Sequence, residues 1–416
     1  MGLDPAYTLR VTDARRRSPI VDADLFDRAE GRTIVDGAGA ILKGALECEL
    51  DCGGLIVDPS GPFQRLLGIR DDPEFAMVLQ RHRFTFAART TAERRLVEAG
   101  RLAHRGTAVA LVTSRETPRA AAAIARGGDS ARRGLVVLAI DEPEAQPAVA
   151  PRRHFADLGM PVIEPGDLQE LRLAIEQAAL LADAAGAPAA IVVDESILRT
   201  AATMEIRPNR VVSTVDTAAA LRRSRGPRSG GDEGVERFAR RLELDTVLAM
   251  PSPGECEELG IVATGIAATS VRHLLEEFRL TGRVPALLLR MVHPPNPAPI
   301  ERLLTRCRRV VVVEARPGLL APAVVEIAET LRARGETVAT VGWRSIPGEE
   351  SDPIEVGDAA RPSVLVRRLM PGLRSIRAGL QVDERLARPI DFDSSRIPDR
   401  PERGARGLLQ AVRRAA

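Results

Sequence analysis

The sequence predicts an α/β fold built as two parallel-sheet, three-layer units, and three observations carry that prediction. Short apolar, β-branched runs alternate with amphipathic helical stretches along most of the chain. The strongest runs, Gly134 to Ile140 and Val310 to Val313, have no polar interruption, as strands buried on both faces require. The alternation lapses after about residue 200 and resumes near residue 255, which divides the chain in two.

Residues 1–32 are polar and read as a leader, a candidate partner-binding arm. Thr33 to Val35 forms a short strand ending at Asp36-Gly37-Ala38-Gly39, and the helix that follows carries Ile41, Leu42, Ala45 and Leu46 on one face. The next strand, Leu55 to Val57, stops at Asp58-Pro59-Ser60-Gly61-Pro62, a turn in which two prolines fix φ and one glycine frees it. Glu93 then opens a helix from about Ala92 to His104. A strand (Ala108 to Thr113), an alanine-rich helix (Pro118 to Ala125) and the buried strand to Ile140 come next. Asp141-Glu142-Pro143-Glu144 leads into a proline-rich loop reaching Arg152. After the short strand Pro161 to Ile163, Asp167 caps a helix to about Ala185, with Glu170 placed to complete a capping box. Ala189 to Val193 closes the first unit.

Arg222 to Asp232, rich in Arg, Ser and Gly, has the composition of a flexible linker. The second unit reads as strands Leu259 to Thr264, Ala286 to Arg290, Val310 to Val313 and Val338 to Val341. Between them lie helices Thr269 to Phe278, Pro299 to Thr305 and Ala321 to Arg334. Beyond Trp343 the chain is rich in proline and charge, with short helical stretches near 364–369 and 408–412. The expected organisation is a leader (1–32), a first domain (33–200), a linker (201–254), a second domain (255–345) and a tail (346–416).

Composition excludes several function classes. Of 416 residues 44% are hydrophobic and only 3% aromatic, so the cores rest on Ala, Val, Leu and Ile. Net charge is +2 with the two signs interspersed, and Lys43 is the lone lysine; nucleic-acid binding is not expected. No apolar run approaches the roughly 20 residues that cross a bilayer, and the N-terminal residues lack a signal-peptide core. Cys48, Cys52, Cys256 and Cys307 are too sparse for a cluster or a disulfide framework and read as thiols of a reducing cytoplasm.

Each local motif has a plain alternative. Gly37-x-Gly39 with Asp58 could begin a dinucleotide fingerprint, but Leu42 stands at the third glycine position. Lys43-Gly44 has the wrong order for a phosphate loop. Thr90-Thr91-Ala92-Glu93 is itself a capping box, so Glu93 could serve only to close a helix. The acidic cluster at 141–144 is either a metal candidate or a solvated loop, and the five histidines show no ligand spacing. Ser60 lies outside any nucleophile elbow.

Taken together, the segments Thr33–Thr200 and Glu258–Val341 resemble the large (alpha) subunit of the indolepyruvate:ferredoxin oxidoreductases, within the thiamine-diphosphate-dependent 2-oxoacid:ferredoxin oxidoreductase family. Gly37 to Glu47 is similar to the family's Gly-Asn-Glu-Ala-Ile-x-x-Gly-Ala-x-Glu start, and Asp58 to Pro62 falls on its Tyr-Pro-Gly-Thr-Pro. Ala92-Glu93-Arg94 falls on Asn-Glu-Lys. Gly134 to Glu144, Pro161 to Glu170, Leu259 to Gly265 and Val311 to Glu314 match in order. The family's Ser-Ser-Gln-Asn-Glu-Gln loop is replaced by Ala145 to Pro151, and its diphosphate-binding and ferredoxin-like domains have no counterpart in this sequence.

The resemblance implies a pyrimidine-type domain followed by a transketolase C-terminal-like domain. It implies the alpha-type subunit of a split enzyme acting on an indolepyruvate-like 2-oxoacid. Thiamine diphosphate would be shared with a beta-type, diphosphate-domain subunit. Magnesium would sit on that partner, and iron–sulfur clusters on a ferredoxin or cluster-bearing subunit; no metal is expected on this chain. Glu93 is the implied catalytic residue, with Pro59, Ser60, Gly61, Pro62 and Glu93 binding the cofactor in an obligate oligomer. A non-catalytic paralogue acting as scaffold or regulator, or a nucleotide-binding module, are the alternatives.

Overall fold

The computed structural model describes residues 26–27, 30–210 and 235–376, apart from 51, 61–62, 69, 71, 105, 128–133, 143–149, 236–238, 241, 317, 350–352 and 355–360. Two mostly parallel sheets organise it. The first has seven strands. In spatial order they are β12 (Met291–His293), β6 (Val162–Ile163), β7 (Ala189–Asp194), β5 (Leu135–Asp141), β4 (Thr107–Thr113), β2 (Cys52–Val57) and β3 (Thr85–Ala88). All pair in parallel except β12, which runs antiparallel to β6. The second has five strands: β14 (Thr340–Trp343), β13 (Cys307–Val313), β10 (Glu257–Thr264), β11 (Ala286–Leu289) and β9 (Asp245–Ala249). Only β9 is antiparallel there.

Strand residues alternate between two apolar cores, as the period of two requires. Val109, Leu111, Val136 and Leu138 pack under α1 (Gly37–Glu47) and α7 (Leu168–Ala185). Ala110, Val112, Val137 and Ala139 face the opposite side, under α4 (Ala92–Ala103), α5 (Thr117–Arg126) and α6 (Pro151–Ala156). In the second sheet Ile261 and Val311 lie with α9 (Gly265–Glu277) and α12 (Pro362–Ile376). Val262 and Val312 lie with α10 (Pro297–Arg306) and α11 (Leu320–Ala333). Each unit is therefore a helix–sheet–helix stack. No described helix is long and apolar enough to cross a membrane.

The opening strand departs from expectation. β1 (Gly31–Asp36) does not enter the parallel sheet but pairs antiparallel with β8 (Ala201–Ile206) in a separate ribbon. Gly37 and Gly39 are not a phosphate turn. They begin α1, whose eleven residues are all buried, and the Asp36 carboxylate accepts from the Gly39 amide at 2.8 Å. A Cβ on Gly37 would lie 2.4 Å from the Leu198 Cα, and one on Gly44 2.3 Å from the Arg172 carbonyl oxygen. These glycines let α1 pack closely against Leu198 and Arg172.

Strands β3, β8, β9 and β12 and the helices Gln64–Gly68, Pro73–Arg81, Pro151–Ala156 and Glu195–Leu198 are absent from the sequence-based assignment, and α12 is longer than the helix expected at 364–369. Met291–His293 lies in the stretch assigned to the second domain yet extends the first sheet. Phe26, at the end of the expected leader, is buried 5.2 Å from Phe75 between ring centroids. The expected linker at 222–232 and helix at 408–412 lie outside the described residues.

Candidate functional site

Parallel sheets offer ligand sites at the carboxyl ends of their strands. At those of β2, β3 and β4 the organising side chain is Arg95, which is fully buried although charged. Its Nε donates to the Leu111 carbonyl at 2.7 Å, and its Nη1 donates to Asp58 Oδ2 and the Arg89 carbonyl, each at 2.6 Å. Its Nη2 donates to Glu116, which also accepts from the Thr113 amide at 3.1 Å. One guanidinium thus joins the turn after β2, the residue following β3, strand β4 and the 3₁₀ turn beyond it.

Asp58 is the hinge of the β2 turn. Its Oδ1 accepts from the Ser60 amide at 2.8 Å and from the Ser60 hydroxyl. Burial alone would raise its pKa, but the Ser60 contacts and the Arg95 charge outweigh that and hold it below the usual carboxylate range. Asp58 is therefore committed to this turn, not free for a ribose. Pro59 and Ser60 are exposed at the strand end; Gly61 and Pro62 lie outside the described residues.

Glu93 begins the same layer from the neighbouring strand end, since Val57 of β2 is registered with Ala88 of β3. The capping box expected at Thr90 to Glu93 is displaced by one residue. Thr91 is the N-cap, its hydroxyl accepts from the Arg94 amide at 3.4 Å, and Glu93 occupies the second helical position. Arg94, now at the third position, has no acceptor to return to the cap. Glu93 is half-buried, and among the described residues no donor engages its carboxylate. Arg95 was overlooked in the sequence, though it left a signal: it interrupts the buried face of Ala92, Leu96, Ala99 and Ala103, where a charge needs partners.

A second polar centre lies where the strand ends of the two sheets meet. Arg152 pairs with Glu164, lies 3.9 Å from Glu314, and donates to the Arg316 carbonyl at 2.6 Å. Arg316 pairs with Asp141 at 3.1 Å, and Thr264 donates to Glu164 at 3.1 Å. Glu314 accepts from the Leu320 and Ala321 amides at 2.9 and 3.2 Å, closing the start of α11. Burial drives Glu164 up to about 7 against the pull of Arg152, and it also raises Asp141. Asp141 is thus not a solvated loop residue but half of a buried inter-sheet ion pair; Pro143 and Glu144 lie outside the described residues. No group of three or more ligand-type side chains suited to a metal occurs among the described residues.

Two further details differ from expectation. Asp167 accepts from the Glu170 amide at 2.8 Å, but the Glu170 carboxylate returns to the Gly166 amide, one residue before the cap. Cys48 and Cys52 are buried thiols as expected, and burial pushes Cys48 well above its ordinary range.

No family model matches the chain. The indolepyruvate oxidoreductase subunit IorA of Methanothermobacter thermautotrophicus is 27% identical over 218 residues, 48% of this chain and 34% of that protein. The match thus spans about a third of the curated relative's length. Among solved structures, a 2-oxoglutarate:ferredoxin oxidoreductase from Magnetococcus marinus, with 2-oxoglutarate, coenzyme A and succinyl-CoA bound, superposes with a TM-score of 0.53. The identity there is 12%, over 82% of this chain and 65% of that one. That superposition agrees with the three-layer α/β architecture. The chain is thus similar in sequence, over about half its length, to an indolepyruvate oxidoreductase subunit, and it shares its fold with a 2-oxoglutarate:ferredoxin oxidoreductase.

Proposed function

We propose that the chain is the alpha-type subunit of a thiamine-diphosphate-dependent 2-oxoacid:ferredoxin oxidoreductase, active with an indolepyruvate-like 2-oxoacid in the cytoplasm. The observation that carries this reading is the Glu93 carboxylate. It is half-buried at the mouth of a parallel sheet, beside the β2 turn, and the helix cap makes no use of it. Residues 33–200 would be the pyrimidine-type domain and 255–345 the transketolase C-terminal-like domain. The groups present suit an aminopyrimidine: a carboxylate to accept from a protonated N1′ and the exposed Pro59-Ser60 turn, with Gly61 and Pro62, which lie outside the described residues, next in sequence.

When bound, thiamine diphosphate supplies the carbon nucleophile and electron sink for decarboxylating the 2-oxoacid. Glu93 would hold a proton at N1′ through a charge-assisted hydrogen bond. Asp58 and Arg95 would keep the adjoining turn in place. The diphosphate and magnesium are assigned to a beta-type subunit and the iron–sulfur clusters to a ferredoxin or cluster-bearing partner, so activity requires assembly. The test is 2-oxoacid-dependent dye reduction by the chain reconstituted with its diphosphate-domain subunit. Glu93→Gln should lower turnover by about 10²-fold or more. Equal turnover would leave the scaffold reading.

A further inference from the structure

Arg95 performs a task that its neighbours cannot. Four hydrogen-bonded partners, the Asp58 carboxylate, the Glu116 carboxylate and the Arg89 and Leu111 carbonyls, converge on one fully buried guanidinium. Two of these lie on the segments that frame the candidate site. Asp58 carries the Ser60 turn, and Arg89 is the residue from which the chain passes to the Thr91 cap and Glu93. Arg95 itself stands two residues beyond Glu93 on the same helix. The geometry is that of a clamp with one jaw on the β2 turn and the other on the helix that carries the carboxylate.

We infer that Arg95 is a positioning residue of the cofactor site, fixing the start of the Glu93 helix against the Asp58–Ser60 turn. This rests on the proposed cofactor reading. The physical basis is rigidity. A planar guanidinium with donors in a fixed fork constrains both distance and angle among its acceptors, whereas a lysine in its place offers one rotatable ammonium. A carboxylate that must meet a ring nitrogen tolerates little drift, because misplacement of about 1 Å can cost roughly 10²-fold. Arg95 touches no cofactor atom in this account; it acts through Glu93 and Asp58.

The test compares two buried arginines in the assembled complex with its diphosphate-domain subunit, thiamine diphosphate and magnesium. Arg172, which pairs with Glu47 between α1 and α7, is the structural control. Arg95→Lys and Arg172→Lys are each measured for melting temperature and for the near-ultraviolet circular-dichroism signature of the iminopyrimidine tautomer, which Glu93 would promote. At matched cofactor saturation, Arg95→Lys should lose the signature about tenfold while Arg172→Lys keeps it, even where both melt lower. Equal retention, or equal loss, in the two variants overturns the inference and leaves Arg95 structural. If the wild type and Glu93→Gln give the same spectrum, the cofactor reading itself fails. Should Arg95→Lys not fold, Asp58→Asn decides: a several-fold loss of signature supports the clamp, and an unchanged signature overturns it.

Discussion

Replacing Glu164 with glutamine should flatten the dependence of stability on pH, and the inter-sheet cluster sets both sign and size. Three carboxylates (Asp141, Glu164, Glu314) share two guanidiniums (Arg152, Arg316) in a buried space, and Asp194 adds negative potential to Arg152 and Asp141. Glu164 rises from an ordinary 4.5 to about 7 because desolvation exceeds the attraction of Arg152. A carboxyl raised in the folded state holds its proton more firmly there than in the unfolded chain. Stability is then unaffected below about 4.5 and is lost progressively as pH climbs toward 7. The displacement corresponds to about 3 kcal/mol, so wild type should lose that much relative to Glu164→Gln between pH 4.5 and 8. For a protein of this size that is a relative fall in Tm of about 3–5 °C. Calorimetric scans of both proteins from pH 4.5 to 8.5 measure it, and their difference removes the titrating groups that lie away from Glu164, leaving the coupled Asp141 and Glu314 in the comparison. Near pH 4.5 the two should melt together, since protonated Glu164 and glutamine are isosteric. Parallel curves throughout would refute the reasoning and place a charged Glu164 in the folded protein across the whole range.

Other consequences are equally direct. Thr91→Ala should cost about 1 kcal/mol in urea unfolding by removing the cap of α4, whereas Glu93→Gln should change stability by less than about 0.5 kcal/mol. Gly44→Ala should destabilise by about 2–3 kcal/mol, because its methyl group would meet the Arg172 backbone rather than a movable side chain. Phe26→Ala should cost about 3–5 kcal/mol by the same assay if the end of the leader belongs to the folded core. An unchanged midpoint would show instead that it can detach.

The sheets were largely legible because their signals are local. Uninterrupted apolar runs such as Gly134 to Ile140 and Val310 to Val313 identify buried strands without knowledge of their neighbours, and β–α alternation then implies parallel pairing. Strands whose identity depends on a partner were not legible. Ala201–Ile206 has weak strand propensity and exists by pairing with Gly31–Asp36, about 170 positions away. Met291–His293 follows β11 so closely that nothing local separates them, yet it pairs with Val162–Ile163 across the two units. Pro371-Gly372 reads as a helix stop, but Leu365, Leu369 and Leu373 hold one face of α12 against the second sheet. The candidate site divides along the same line. Pro59, Ser60 and Glu93 were marked locally only as a turn and a helix start, and their candidacy for a site came from the resemblance. The acceptors of Arg95 were not, because Asp58 and Glu116 lie 37 and 21 positions from it in opposite directions.

The two polar centres, finally, bear on where a ligand belongs. Both lie at carboxyl ends of parallel strands, where exposed backbone groups and helix starts make binding sites inexpensive to build. At the inter-sheet centre the polar groups are spent on one another: Asp141 on Arg316, Glu164 on Arg152 and Thr264, and Glu314 on the amides of α11. A ligand there would have to displace ion pairs that also join the two sheets. At the β2–β3 edge the internal pairing ends one residue short. Asp58 is matched by Ser60 and Arg95, Thr91 caps the helix, and the Glu93 carboxylate takes no donor among the described residues. A ligand at this edge could meet the Glu93 carboxylate without breaking any ion pair among the described residues, which is why the proposed cofactor reading is tested there and not at the inter-sheet centre.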